Sequence, residues 1–123
     1  MILVDTSIWI DHLNTSDPVL VNLLANGQVL VHPFVIAEIA LGSLRNREAV
    51  LGALHDLPSV VVATPEETLF LIEHAGLFNR GIGYVDTSLL ASARLQPGTA
   101  VWTRDKRLAK TVDDLGLTPN LLH

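Results

Sequence analysis

Short apolar runs alternate with stretches of helical periodicity along almost the whole of this 123-residue chain, and few folds accept that pattern. The runs are Ile2–Val4, Val29–Val31, Val60–Ala63 and Ala100–Trp102, each short and apolar as buried parallel strands are. Between them the spacing predicts helices over Thr6–Leu13, Val19–Ala25, Pro33–Leu44 and Glu48–Leu57. Three more are expected: from Thr64-Pro65 to about Asn79, over Asp86–Leu95 and over Arg104–Leu115. The firmest start is Thr64-Pro65-Glu66-Glu67, where Thr64 caps, Pro65 sits first and Glu67 closes a capping box. Asp17-Pro18 is a second acid cap followed by proline. Thr118–Leu121 would add an edge strand. The expected fold is α/β: a parallel sheet of four to five strands flanked by helices on both faces. No repeat, low-complexity tract or linker interrupts it, so residues 1–123 read as a single domain.

Composition narrows the function classes. Hydrophobic residues are 49% of the chain and charged ones 17%, which excludes intrinsic disorder and leaves an apolar surplus for a partner surface. The absence of cysteine excludes a disulfide scaffold, a thiolate metal site and a cysteine nucleophile. Met1-Ile2-Leu3-Val4-Asp5 reaches an acid too early for a signal peptide, and no apolar run has the length of a membrane span. A cytoplasmic protein without a membrane segment is expected. The net charge of −5 argues against coating nucleic acid by charge alone. Its distribution is uneven. The first 44 residues hold no Lys or Arg, whereas Arg80 to Lys110 holds six basic residues against two acids. Such a chain can hold cations and still admit an anion.

Four acids fall where a parallel sheet binds ligands, beyond the carboxyl ends of its strands. Asp5 follows the first strand, Asp105 follows Ala100–Trp102, Asp86 opens a helix after Gly81-Ile82-Gly83, and Glu38 lies in the helix after Val29–Val31. Converging carboxylates repel one another unless cations lie between them, and oxygen-only ligands suit Mg²⁺ or Mn²⁺. Asp5 and Asp86 also fit simple helix caps, and Asp105 a favourable first-turn charge. Glu38 is flanked by Phe34-Val35-Ile36-Ala37 and Ile39-Ala40-Leu41, so its helix reads as apolar nearly all round. A carboxylate there calls for a partner, either Arg45 or a cation. Thr103 can cap the following helix and also orient a water or a phosphate oxygen beside Asp105. Arg104, Arg107 and Lys110 are candidates to offset substrate phosphates. The histidines His12, His32, His55, His74 and His123 share no catalytic spacing and are expected on surfaces or element ends. Ser7 and Ser88 lack a nucleophile elbow, and no GxGxxG or GxxxxGK[ST] motif occurs.

In order, the segments Val4-Asp5-Thr6-Ser7, Ala37-Glu38-Ile39 with Gly42, Asp86-Thr87-Ser88-Leu89-Leu90-Ala91 and Thr103-Arg104-Asp105-Lys106-Arg107-Leu108 resemble those of PIN-domain nucleases. The chain is similar to VapC-type toxins of toxin–antitoxin pairs over essentially its whole length. The resemblance implies a Mg²⁺-dependent ribonuclease, usually a homodimer, with a cognate antitoxin that plugs the site. It maps metal ligands onto Asp5 and Asp86, a helical glutamate onto Glu38, a late acid onto Asp105 and a hydroxyl onto Thr103. Some relatives carry a further acid where Lys106-Arg107 stand here, which bears on a second metal. Metal-activated water would leave a 5′-phosphate and a 3′-hydroxyl on RNA. Two other classes compete. A phosphoacceptor receiver domain has this size, but needs an aspartate ending its third strand, whereas Asp56 precedes Val60–Ala63. A catalytically silent PIN-fold binding module would keep the fold without the chemistry.

Overall fold

The structure, a computed structural model, describes residues 1–121. The expectation for His123 therefore lies outside the described residues. The elements run β1 (Ile2–Val4), α1 (Thr6–Asn14), α2 (Pro18–Ala25), β2 (Val29–Leu30), α3 (Pro33–Ala40) and α4 (Arg47–His55). They continue as α5 (Pro65–Ala75), α6 (Tyr84–Leu95), β3 (Ala100–Trp102) and α7 (Lys106–Asp114). The fold is α/β, and both strand pairs are parallel.

The strand order is β2-β1-β3, so β1 is central. Ile2 and Leu3 pair with Val29 and Leu30 on one side, and Ile2, Leu3 and Val4 with Ala100, Val101 and Trp102 on the other. The chain leaves β1 toward β2 and later returns to its opposite side as β3. That reversal makes a switch point at the carboxyl ends of β1 and β3, where the loops part and leave a crevice.

Three strands form among the described residues, fewer than the four to five expected. Val60–Ala63 is not a strand. Val31 bridges Ser59 through Val31 N–H to Pro58 O (2.9 Å) and Val60 N–H to Val31 O (3.0 Å), and the ladder stops there. The next donor of a parallel ladder would be residue 33, and Pro33 has no N–H; on the other side of the segment Val61 N–H donates to Gln96 Oε1 at the end of α6 and Ala63 N–H to Ser92 Oγ. Thr118–Leu121 is likewise not a strand, and only Val101 N–H to Leu117 O (2.9 Å) marks that edge. Pro119 lacks the N–H that a ladder needs.

Several helix ends shift for local reasons. Helix α3 stops at Ala40, where the last turn tightens: the Leu41 N–H is shared between the Ala37 and Glu38 carbonyls, and the Gly42 N–H donates to Ile39 O. Gly76 in the left-handed conformation ends α5 at Ala75, short of Asn79. The Thr64–Glu67 capping box forms as expected, and Asp17 caps α2 through Val19 N–H and Leu20 N–H. Leu3, Val4, Ile8, Val35, Ile39, Leu89, Leu90 and Leu108 are fully buried, and draw β1, α1, α3, α6 and α7 onto one core.

His32 meets the expectation of a histidine at a surface or element end by its position, and departs from it in burial. It stands at an element end, before α3, but is fully buried. Its Nδ1 accepts from Phe34 N–H (3.0 Å), so the neutral ring carries its proton on Nε2 and donates to Ser92 Oγ (3.2 Å). Burial pushes its pKa down to about 4.

Candidate active site

Asp5 prolongs β1 by one bond, its N–H donating to Trp102 O at 2.9 Å. Its own carbonyl accepts from Ile8 and Trp9 N–H and so starts α1. The carboxylate makes no helix-capping hydrogen bond, which removes the cap as the reason for this acid. Instead Oδ2 accepts from Thr103 Oγ1 at 2.7 Å and from Ser7 Oγ at 2.9 Å. At 5% exposure it is a buried carboxylate held by two hydroxyls, with no cationic side chain against it among the described residues. Buried charges are normally paired with an opposite charge, whereas the Asp5 carboxylate has only neutral hydroxyl donors against it.

Helix α1 packs on α3, and there Thr6 Oγ1 donates to Glu38 Oε1 at 2.7 Å. Glu38 is exposed, contrary to the expectation of a helix apolar nearly all round. Val35, Ile36 and Ile39 form the buried stripe of α3, and Glu38 falls on the opposite side with Ala37. Arg45 is not its partner. Asp86, half-buried in the first turn of α6, accepts only a long bond from Gly83 N–H, 3.4 Å. Asp105 is exposed and caps α7 through Oδ1, with Arg107 N–H at 2.9 Å and Leu108 N–H at 3.0 Å. The cap expected of Thr103 thus belongs to Asp105, and α7 begins at Lys106 rather than Arg104. Thr103 accepts the Asp105 N–H at 3.0 Å while donating to Asp5, so one hydroxyl joins both acids.

Electrostatics ties the four together. Burial raises the Asp86 carboxyl above its ordinary pKa, the Gly83 N–H opposes this, and the charges of Asp5, Asp105 and Glu38 raise it further. Residues from β1, α3, α6 and α7 therefore share one field at the switch point. A PIN-domain family model matches residues 2–114 of this chain. The chain belongs to the PIN-domain family. It is 46% identical over 117 residues to Ribonuclease VapC32 of Mycobacterium tuberculosis, in strains CDC 1551 / Oshkosh and ATCC 25618 / H37Rv alike. The match covers 95% of this chain and 94% of that protein. This membership sets aside the receiver-domain alternative.

In this PIN domain the donor set is made of carboxylate and hydroxyl oxygens, which fits a hard divalent cation. A buried Asp5 without a cationic neighbour among the described residues and an Asp86 carboxyl raised by burial and then by three acids both fit the same group. No three of these acids stand close enough to grip one ion as they are placed, among the described residues, so the cluster is wider than a closed coordination shell.

The nearby basic residues are engaged elsewhere. Arg104 Nη1 pairs with Asp11 Oδ2 at 3.0 Å and Nη2 with Asp17 Oδ2 at 2.5 Å, over the Trp102 ring. Lys110 lies 3.6 Å from Asp114. Arg107 lies against Gly81, whose φ of +74° and lack of a Cβ permit the contact. The sequence reading missed the roles of two hydroxyls, Thr6 on Glu38 and Ser7 on Asp5 and the Arg104 N–H (3.1 Å). The only signal was their place directly after Asp5.

Proposed function

We propose that this PIN domain is a divalent-cation-dependent endoribonuclease, with Mg²⁺ as the working ion and Mn²⁺ as a substitute. The observation that carries the reading is the shared field of Asp5, Glu38, Asp86 and Asp105 at the switch point, with no side-chain cation paired to any of the four among the described residues. The name of the Mycobacterium relative, a ribonuclease, supplies the substrate class. Asp5 and Asp86 would hold the ion, with Glu38 and Asp105 completing its surroundings. A bound divalent cation would polarise the phosphodiester and acidify the attacking water. Thr103 and Ser7 fix the Asp5 carboxylate by donating to one oxygen, Oδ2, which leaves Oδ1 to face the ion. Thr6 steadies Glu38 in the same way.

As a VapC-type toxin the chain would work in the cytoplasm as a homodimer and be silenced by a cognate antitoxin. The apolar surface agrees with partners of both kinds: Leu69, Phe70 and Phe78 are each more than half exposed. An antitoxin that sets a basic side chain among the four acids would compete with Mg²⁺. The deciding experiment incubates the purified chain with total RNA, with and without Mg²⁺, and maps the ends. Cleavage that needs Mg²⁺ and leaves 5′-phosphates supports the reading; cleavage unaffected by chelation refutes it. The width of the carboxylate cluster favours one other reading, a silent PIN-fold binding module. Such a module would bind Mg²⁺ no better than its acid-to-amide variants.

A further inference from the structure

We propose that Asp17, helped by Asp11, is a positioning residue that holds the Arg104 guanidinium away from Asp5, Glu38, Asp86 and Asp105. The cluster then meets a divalent cation with its charge uncompensated. This rests on the reading above that the four acids hold such a cation.

Arg104 is the cation best placed to spoil the site. It stands between Thr103 and Asp105, and its backbone N–H donates to the Ser7 hydroxyl that touches Asp5. A guanidinium rooted there is next in the chain to Asp105 and to the Thr103 hydroxyl that touches Asp5, and arginine pairs with carboxylates through two parallel bonds. It is turned the other way. Nη1 takes Asp11 on α1, Nη2 takes Asp17 before α2, and the carbon between them lies 5.8 Å from the Trp102 ring centre. A lone exposed ion pair would be a weak restraint, but this is a fork with a stacked face. Its principal anchor is fixed independently. Asp17 Oδ1 caps α2 through Val19 N–H (2.9 Å) and Leu20 N–H (3.2 Å), leaving Oδ2 aimed at Arg104. The Asp17 N–H in turn donates to His12 Nδ1 at 3.0 Å. The loop before α2 is thereby built to present one carboxylate oxygen to one guanidinium, and it lies outside the catalytic cluster.

The test is Mn²⁺ binding to the purified chain, followed by electron paramagnetic resonance of free Mn²⁺. Titrations run in about 0.5 M KCl, where remote charge effects are screened within a few ångströms. The variants are D17N, D11N/D17N, R104Q and D11N/D17N/R104Q. Asparagine at 17 keeps a good helix cap, so α2 survives the change. A released guanidinium that occupies the cluster most of the time should weaken Mn²⁺ binding about threefold to tenfold in D11N/D17N. The triple variant should return to within about twofold of the parent, and R104Q alone should match the parent. Parental affinity in D11N/D17N overturns the proposal, as does an equal loss in the triple variant, which would clear Arg104. If D11N/D17N does not fold, D17N carries the test, with a loss of about twofold or more expected and none overturning it. A parent that binds no Mn²⁺ refutes the metal reading itself, a different outcome from a parent that binds and a variant that binds equally well.

Discussion

Lowering the pH should destabilise this protein through one buried ring. His32 is fully buried, its Nδ1 accepts from Phe34 N–H, and its Nε2 reaches Ser92 Oγ, which also receives the Ala63 N–H. A second ring proton would find no acceptor at Nδ1, because that position already faces a donor. Burial accordingly lowers the pKa to about 4, whereas the unfolded chain takes up its proton near 6.5. Below 6.5 the unfolded state binds a proton that the folded state refuses. Stability is therefore complete above about pH 6.5, falls between 6.5 and about 4, and levels off below. At about 1.4 kcal/mol per pH unit the loss over that interval totals about 3 kcal/mol, a large part of the 5–15 typical of a domain. Urea unfolding at a series of pH values should show this slope in the parent. His32→Asn supplies the comparison, since asparagine keeps an acceptor for the Phe34 N–H and does not titrate. The variant should start less stable at pH 7.5 and be flatter between 6.5 and 4. Asp86 acts with the opposite sign: its raised pKa favours the fold as pH falls, and it is common to both proteins, so the difference isolates His32. Equal slopes in the two proteins would refute a neutral, donor-facing His32.

Asp5→Asn and Asp86→Asn should each abolish RNA cleavage. Asp86→Asn should also hold or raise the melting temperature without metal, because it removes a charge that Asp5, Asp105 and Glu38 oppose; a clear drop in melting temperature would contradict that. Glu38→Leu should lose activity while circular dichroism and melting stay near parental, since the residue is exposed and only Thr6 depends on it. Full activity in that variant removes Glu38 from the site. Thr103→Val leaves Asp5 with one hydroxyl donor, so stability should fall by about 1–2 kcal/mol in urea unfolding. Cleavage should be reduced and recovered in Thr103→Ser, and a serine variant no better than valine would refute the hydroxyl's role.

The sequence by itself determined the α/β class, the three strands that matter and the caps at Thr64 and Asp17, because these rest on local chemistry. An apolar run of three residues or a Thr-Pro-Glu-Glu start reads the same wherever the chain carries it. It also marked the four acids as candidates, since an acid just after a strand (Asp5, Asp105), after a glycine turn (Asp86) or within an apolar run (Glu38) is visible along the chain. Tertiary structure decided the rest. Val60–Ala63 keeps a single bridge to Val31, and its Val61 and Ala63 N–H groups go to Gln96 and Ser92, more than 25 residues away, partners that no local pattern announces. Glu38 was misjudged as a buried charge because the burial of a helix face is set by what packs on it, and only Val35, Ile36 and Ile39 of α3 are covered. His32 read as one of five histidines at surfaces or element ends, and its burial against Ser92 came from the packing of α6. The candidate site is assembled by β3 returning to the side of β1 opposite β2, which puts Thr103 beside Asp5 across 98 residues. Spacing along a chain carries no information about which side of a central strand a later strand will take. That choice comes from packing the whole core at once.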